Sequence, residues 1–419
     1  MGVFTLVSTL FLLTVRAQTP SSPSPADLSI AFAKSQIQKH PSNQNFYIEL
    51  AVALIHKARE TADESFDDQA EAAVNESLSL SSNNFEARKA KVAILLARNQ
   101  AAKARTEAQQ LNREVPDDVT VYGYIAEADM MLGDYEDAEK SAQWMLDLRP
   151  NNIAGLIRGS QLRKIFGDLD GAVESLNDAY QQTPPDQVED LAFLLSEMAG
   201  LDLEMGKLQP AEQLSEQALK SFPDYYLARE MLARVRIAQG KYPESVELLR
   251  KRNERFPQSR SIWAEAEALN REGKTAEAQP RYEEFERRAR AEILRDDNVN
   301  PELVFFYLHH KQDAAEALRI GRLQAERRHD VFTLDAYASA LYANGNYAEA
   351  RKQIEKALAP GIRDASIFFH AAMICSRMND GLAARQYLEK SLQVNPLSEV
   401  SSEVRDMLAK SSAGNGSRQ

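Results

Sequence analysis

The chain has 419 residues, 44% of them hydrophobic and 27% charged, which excludes a multi-span membrane protein, a collagen and a wholly disordered chain. Its 62 acidic residues outnumber 50 Lys and Arg, and the formal net charge of −12 argues against general binding to a phosphate backbone, which runs on clustered cations. Cys375 is the one cysteine, so no internal disulfide or Cys-rich zinc site can form, and the scarcity of glycine (17) and proline (16) implies long helices joined by short loops.

Val3 to Val15 is a run of apolar residues, Ser and Thr. It is too short to cross a bilayer core, which takes about 20 residues. It leads into Val15-Arg16-Ala17, a small-residue cleavage pattern, and then into the polar stretch Gln18 to Pro25. Residues 1–17 are expected to be a secretory signal peptide, although no Lys or Arg precedes Arg16, and residues 18–26 a flexible leader. The absence of a cysteine after the run excludes a lipoprotein anchor. Residues 27–40 read as a lone helix that ends before Pro41 and caps the N-terminal end of the remaining chain.

From residue 41 to 396 the chain repeats itself. Pro116, Pro150, Pro184, Pro223 and Pro257 step by 34, 34, 39 and 34 residues. Gly133, Gly167, Gly206, Gly240 and Gly273 step by 34, 39, 34 and 33. Small residues from Ala70 through Ala104, Ala138, Ala172, Ala211, Ser245, Ala278, Ala317 and Ala350 to Ala384 keep the same phase. Within Val119 to Asn152, Tyr122, Ile125, Ala126 and Asp129 fall at helical spacing, with Leu132 after them, so a first amphipathic helix carries one polar intruder. Gly133 ends that helix by taking positive φ. Tyr135, Ala138, Ala142 and Met145 form a second helical stripe, which Pro150 stops.

This 34-residue hairpin resembles a tetratricopeptide repeat. The resemblance rests on Tyr122, Ala126, Gly133, Tyr135, Ala138 and Pro150, and recurs as Ala233, Gly240, Tyr242, Ser245 and Pro257, and as Leu334, Ala338, Gly345, Tyr347 and Ala350, where Ile362 stands in place of proline. In the last unit, with Phe368, Ala372, Ala384 and Pro396, Asn379 replaces the glycine, a mild change because Asn also visits the left-handed region. About ten units start near Asn43, Phe85, Val119, Ile153, Ala192, Tyr226, Ser259, Asn298, Val331 and Ala365. Residues 397–410 read as a C-terminal capping helix and 411–419 as a disordered tail. The resemblance implies an all-α fold, an α-α superhelix of stacked hairpins. Ten units would exceed one superhelical turn and enclose a long channel. The unit from Asn298 lacks a proper glycine, and a change of course is expected near residues 290–312.

Little catalytic chemistry is visible. His309 and His310 are adjacent, so on a helix they point about 100° apart and cannot chelate one ion. Cys375 falls on a buried helical position and reads as a packed thiol. No Gly-rich phosphate loop or strand-borne nucleophile elbow is present. The basic run Arg281 to Arg295 is interleaved with Glu283, Glu284, Glu286 and Glu292 and reads as a solvated, ion-paired face. No cofactor, metal site or enzymatic activity is expected.

The functional surface implied by the resemblance is the concave groove, lined by positions 2, 5, 9 and 12 of each unit. That rule selects Lys89, Glu127, Gln161, Arg234, Trp263, Glu267, Phe306, His309, Asp335, Tyr342, Phe369 and Met373. Trp263, Phe306, Tyr342 and Phe369 would offer aromatic anchors beside polar groups, as peptide-binding surfaces do. The Lys, Asn, Asn, Lys, Arg set with which some family members hold a C-terminal carboxylate is not supplied by any three successive units. The expected function is an exported, non-enzymatic scaffold that binds peptide or protein partners, with neither nucleic acid nor a membrane span. The alternatives are a self-associating structural protein of the cell envelope and an intracellular regulator with a misassigned start.

Overall fold

In the computed structural model, which describes residues 23–254, 257–295 and 297–416, twenty-two helices follow one another and the described residues form no strand. α1 (Pro25–Lys39) stands alone, with Ser24 as its cap. Ten hairpins come after it. Units 1 to 3 are α2 (Gln44–Thr61) with α3 (Ser65–Leu80), α4 (Phe85–Ala97) with α5 (Ala101–Glu114), and α6 (Val119–Leu132) with α7 (Tyr135–Leu148). Units 4 to 6 are α8 (Ile153–Ile165) with α9 (Leu169–Gln182), α10 (Val188–Glu204) with α11 (Leu208–Ser221), and α12 (Tyr226–Ala238) with α13 (Tyr242–Asn253). Units 7 to 10 are α14 (Ser259–Arg271) with α15 (Thr275–Ile293), α16 (Pro301–His309) with α17 (Ala314–Ala325), α18 (Val331–Ala343) with α19 (Tyr347–Leu358), and α20 (Ala365–Arg377) with α21 (Gly381–Val394). α22 (Ser401–Gly416) closes the series. The expected helical solenoid is what forms.

Two bounds differ from the sequence reading. α1 takes in Pro25 and Ala26 from the expected leader, because Pro is suited to a first helical turn and Ser24 and Asp27 form a reciprocal capping box. α22 runs past Lys410 to Gly416, since nothing in Ser411–Gly416 is a proline that would stop the backbone ladder. The expected signal peptide lies outside the described residues.

The local chemistry repeats as the sequence does. Asn84, Asp118, Asn152, Asp330 and Asp364 each cap a first helix, accepting a backbone N–H from Ala87, Val121, Gly155, Thr333 and Ile367. The small residues mark the helix crossings: Ala104, Ala138, Ala172 and Ala278 are all 0% exposed, so a longer side chain has no room there. Gly133, Gly167, Gly206, Gly240, Gly273 and Gly345 have positive φ at the turn inside their hairpins, while Asn99, Asn379 and, in unit 8, Gln312 take that conformation without being glycine. Unit 8 is the irregular one. α15 has 19 residues and α16 has nine.

The solenoid closes on itself. The turn of unit 3 meets the linker into unit 9: the His329 N–H donates to the Leu132 carbonyl at 2.9 Å, and the Val331 N–H to the Tyr135 hydroxyl at 3.0 Å. The turn of unit 4 meets the linker into unit 10, where Gly167 abuts Gly361. The turn of unit 5 meets the linker after unit 10, where Asn395 Nδ2 donates to the Leu203 carbonyl at 3.1 Å. Arg328 donates to the Asn99 carbonyl at 2.9 Å, extending the contact to unit 2. Apolar burial follows the same line. Tyr135 and Ile165 share a core with Val331, Ile362 and Ile367, and Phe368 and Val394 share one with Leu169, Leu194 and Tyr225. Units six apart therefore stack along a seam.

At that seam glycine does two things. A Cβ on Gly133 would lie 2.5 Å from the His329 carbonyl carbon, and one on Gly167 would lie 2.3 Å from the Gly361 oxygen. Gly240, Gly273 and Gly345 also have positive φ, yet their added Cβ would meet nothing within 4 Å. Gly240→Ala should cost about 1–2 kcal/mol for the left-handed backbone alone. Gly133→Ala should cost about 1–3 kcal/mol more, because the seam must part. Urea unfolding of the two variants checks the difference, and an equal cost would show that the seam contributes nothing.

Candidate functional site

Inside the seam lies a cavity of about 2040 Å³ that is partly open to solvent and lined chiefly by the first helices of units 1 to 9. The apolar part of the wall includes Val52, Ile55, Ile153, Ile157, Phe193, Tyr226, Phe305 and Phe332. Helical spacing accounts for the inward faces: on α8, Ala154, Ile157, Gln161 and Lys164 recur at intervals of three and four and all line the wall. Phe332 is 40% exposed, so a large ring faces the cavity without a cover.

The wall is also charged, and much of the charge is paired. Lys164 meets Glu204 at 2.6 Å, Lys89 meets Asp118 at 2.8 Å, and Arg98 meets Asp68 and Glu71 at 2.6 and 2.7 Å. Arg158 pairs with Glu127. Arg59 on α2 reaches Glu189 and Asp190 on α10 at 2.9 Å each, tying unit 1 to unit 5. Carboxylates nevertheless outnumber Lys and Arg along the wall. Burial raises the pKa of Asp330 and of Asp364, the caps of α18 and α20, and of Glu197 on α10 and Glu292 on α15. Next to Phe305, His370 Nδ1 lies 2.8 Å from Asp335 Oδ1. Burial alone would lower the imidazole pKa; the Asp335 carboxylate outweighs it and raises it.

Among the residues expected on the groove, Lys89, Glu127, Gln161, Arg234 and Asp335 line the cavity. The proposed aromatic anchors do not. Phe306 is 1% exposed and sits in a core with Phe285 and Tyr282. Trp263 packs half-buried onto the same cluster, 5.0 Å from Phe285 and 5.3 Å from His310 between ring centroids. Glu267 accepts from the Tyr282 hydroxyl at 2.9 Å and lies 2.7 Å from His310 Nε2. Tyr342 packs against the core of units 9 and 10. Phe369, 9% exposed, and Met373 are covered by Val400, Val404 and Met407 of the C-terminal segment. His309 is exposed and stacks on Phe305, which lines the wall in place of Phe306. The physical reason is register. α16 starts at Pro301, so Glu302, Phe305 and His309 share a face, whereas counting from Asn298 selects Phe306. Cys375 is 3% exposed, and burial pushes its thiol pKa up. Among the described residues no group of three His, Cys, Asp or Glu side chains is placed to hold a metal, and no helix is long and apolar enough to cross a membrane.

Sequence reasoning missed Asp67 on α3, which is 7% exposed and lines the cavity. Its Oδ1 has no hydrogen-bond partner among the described residues. Burial, reinforced by Glu64, Asp68 and Asp63 against Arg98, raises its pKa to about 6. The folded state then holds a proton that the unfolded chain has released, so Asp67 costs stability as pH rises from about 4 to about 6. Asp67→Asn should stabilise the protein at pH 7 by about 1 kcal/mol and leave stability unchanged near pH 4. Thermal melts at the two pH values check this; a gain that persists at pH 4 would assign it to another cause.

The tetratricopeptide repeat family profile matches residues 202–269. No curated protein matches the sequence. Among solved structures, a monomeric mutant of IFIT1 with Gppp-AAAA is 12% identical, with 87% of this chain and 86% of that chain covered and a TM-score of 0.50. Yeast Tom70 is 16% identical, with coverage of 87% and 96% and a TM-score of 0.38. A chain of the APC/C hetero-tetramer Cut9–Hcn1 is 12% identical with a TM-score of 0.46; 91% of this chain aligns, spanning 58% of the length of that one.

Proposed function

We propose that this tetratricopeptide repeat protein is a non-enzymatic scaffold that binds an extended segment of a protein partner inside its superhelix. The cavity, with apolar rings set among charged groups on the first helices, carries the reading. A wall of this kind can take apolar side chains at Phe193, Tyr226, Phe305 and Phe332 and polar ones between them. The IFIT1 structure holds Gppp-AAAA. The carboxylate excess along this wall argues against an occupant of that charge. Export is part of the proposal and is supported by the apolar run Val3 to Val15 and the small-residue pattern after it.

Photo-crosslinking in cells tests the site. A crosslinking residue at Gln161, Phe305 or Phe332 should capture a partner that is not captured from Trp144, which is 53% exposed and does not line the cavity. Capture from Trp144 alone would refute the channel as the binding site.

A second reading, self-association, has one observation in its favour. Leu28 and Phe32 lie one turn apart on α1 and are 59% and 58% exposed, which leaves an apolar face at the N-terminal end. If copies pair there, light scattering should show a dimer that Phe32→Glu converts to monomer. A concentration-independent monomer would remove this reading.

A further inference from the structure

Several carboxylates of the cavity have hydrogen-bond partners but no close cation: Asp330 and Asp364 accept backbone N–H groups as helix caps, and Glu292 accepts from Ser259 and Asn300. Among the described residues, Asp67, Glu197, Glu292, Asp330 and Asp364 form no ion pair with a Lys or Arg within 4.0 Å. Asp67, Glu292, Asp330 and Asp364 line the cavity from units 1, 7, 9 and 10, and Glu197 stands on α10 of unit 5. Glu197 lies one turn along α10 from Phe193, in the field of Lys164, Glu204, Arg234 and Arg260, all of them wall residues. Glu197, Asp330 and Asp364 are half-buried, and Asp330 and Asp364 line the wall directly. Asp67 adds an independent sign: it is more than nine-tenths buried, faces the cavity, and has a carboxylate oxygen without a hydrogen-bond partner.

Cations do stand nearby, Arg328 in the field of Asp330 and Arg234 and Arg260 in that of Glu197, but none comes within 4.0 Å of these carboxylates. Lys89, Arg98, Arg158 and Lys164 are already paired. Arg260 reaches Glu302 only at 3.8 Å, and Arg234 makes only a 3.7 Å contact to the Met231 sulfur. Buried charges are ordinarily paired, because desolvating an ion without a counter-charge is costly. Asp330 and Asp364 also serve as helix caps, whereas Asp67 has no such structural role to offset its burial. A concave wall with an excess of one sign also focuses its field and concentrates ions of the opposite sign.

We propose that the occupant of the channel is an extended, basic peptide segment, whose Lys and Arg side chains supply close counter-charges to Asp67, Asp330, Asp364 and the neighbouring Glu197 while its apolar side chains meet Phe305 and Phe332. This rests on the channel reading and deepens it by assigning the charge of the partner.

The test uses the full chain, a short fluorescein-labelled Lys/Ala peptide and its Glu/Ala counterpart, read by fluorescence anisotropy. Glu197→Gln, Asp330→Asn and Asp364→Asn are combined in one variant. Asn is as good a helix cap as Asp, so α18 and α20 keep their starts, and a circular dichroism melt verifies that the fold survives. A control variant carries Glu139→Gln, Glu174→Gln and Glu389→Gln, which removes equal charge from exposed positions away from the cavity. The Lys/Ala peptide should bind the parent protein, bind the channel variant about tenfold or more weakly, and bind the control nearly as well as the parent. Equal losses in both variants would reduce the effect to the net charge of −12 and overturn the proposal. Binding of the Glu/Ala peptide that is lost on Arg234→Gln would reverse the assigned charge while leaving the channel as the site. Binding of neither peptide would overturn the assigned charge, with the channel itself judged by the crosslinking.

Discussion

The architecture depends on how closely two stretches of backbone can approach. Where the turn of unit 3 meets the linker into unit 9, and where that of unit 4 meets the linker into unit 10, there is no room for a Cβ atom. Glycine is needed there for shape as well as for its freedom at positive φ. The resulting seam sets the pitch of the superhelix. It also deepens a concave groove into a bore, and the bore gathers the carboxylate-rich inner faces. Without the seam, Asp330, Asp364 and Glu197 would lie on an open, well-hydrated face, and their charge would carry little energy.

The interior departs from the rules that the rest of the chain obeys. On the outer helices charges pair locally: Arg351 with Glu355, Arg385 with Glu389, Lys251 with Glu247, all one turn apart. In the bore the pairs run between units, as Arg59 does to Glu189 and Asp190, and several carboxylates have none. Departures from local consistency concentrate at functional sites in natural proteins. Here Asp67 is such a departure in the cavity, while other buried groups without a partner, such as the Ser245 hydroxyl at a helix crossing, lie outside it.

Much of the fold was legible because it is written locally. The glycine, proline and small-residue phases each reflect a constraint inside one hairpin: a left-handed turn, a helix stop, a close crossing. Asn379 was readable as a glycine substitute for the same reason, and its φ of 60° is what that role requires. The site was less legible. The groove rule located Gln161 and Arg234, where units are regular, and failed at Phe306, where α16 begins at Pro301 and the inward face shifts by one residue. Trp263 and Phe369 have the composition of binding anchors, but rings at those positions are consumed by packing against Phe285 in one case and Val404 in the other. Nothing in a single sequence marks Leu132 and His329 as neighbours, since the period says how units repeat and not where the coil returns.

That return changes the statistics of the molecule. A solenoid is ordinarily a chain of units in which each feels only its two neighbours, so that it frays from the ends and can melt in sections. Contacts between units six apart wrap that chain into a sheet of units, in which units 3, 4 and 5 each have an additional neighbour across the seam. Fraying of unit 10 exposes the flank of unit 4 as well as that of unit 9. Partial unfolding from the C-terminal end is therefore penalised twice, and the central units melt with the terminal ones as a single block. The same long-range pairing is slow to find, because the chain must close a loop of nearly 200 residues before the first seam contact can reward it.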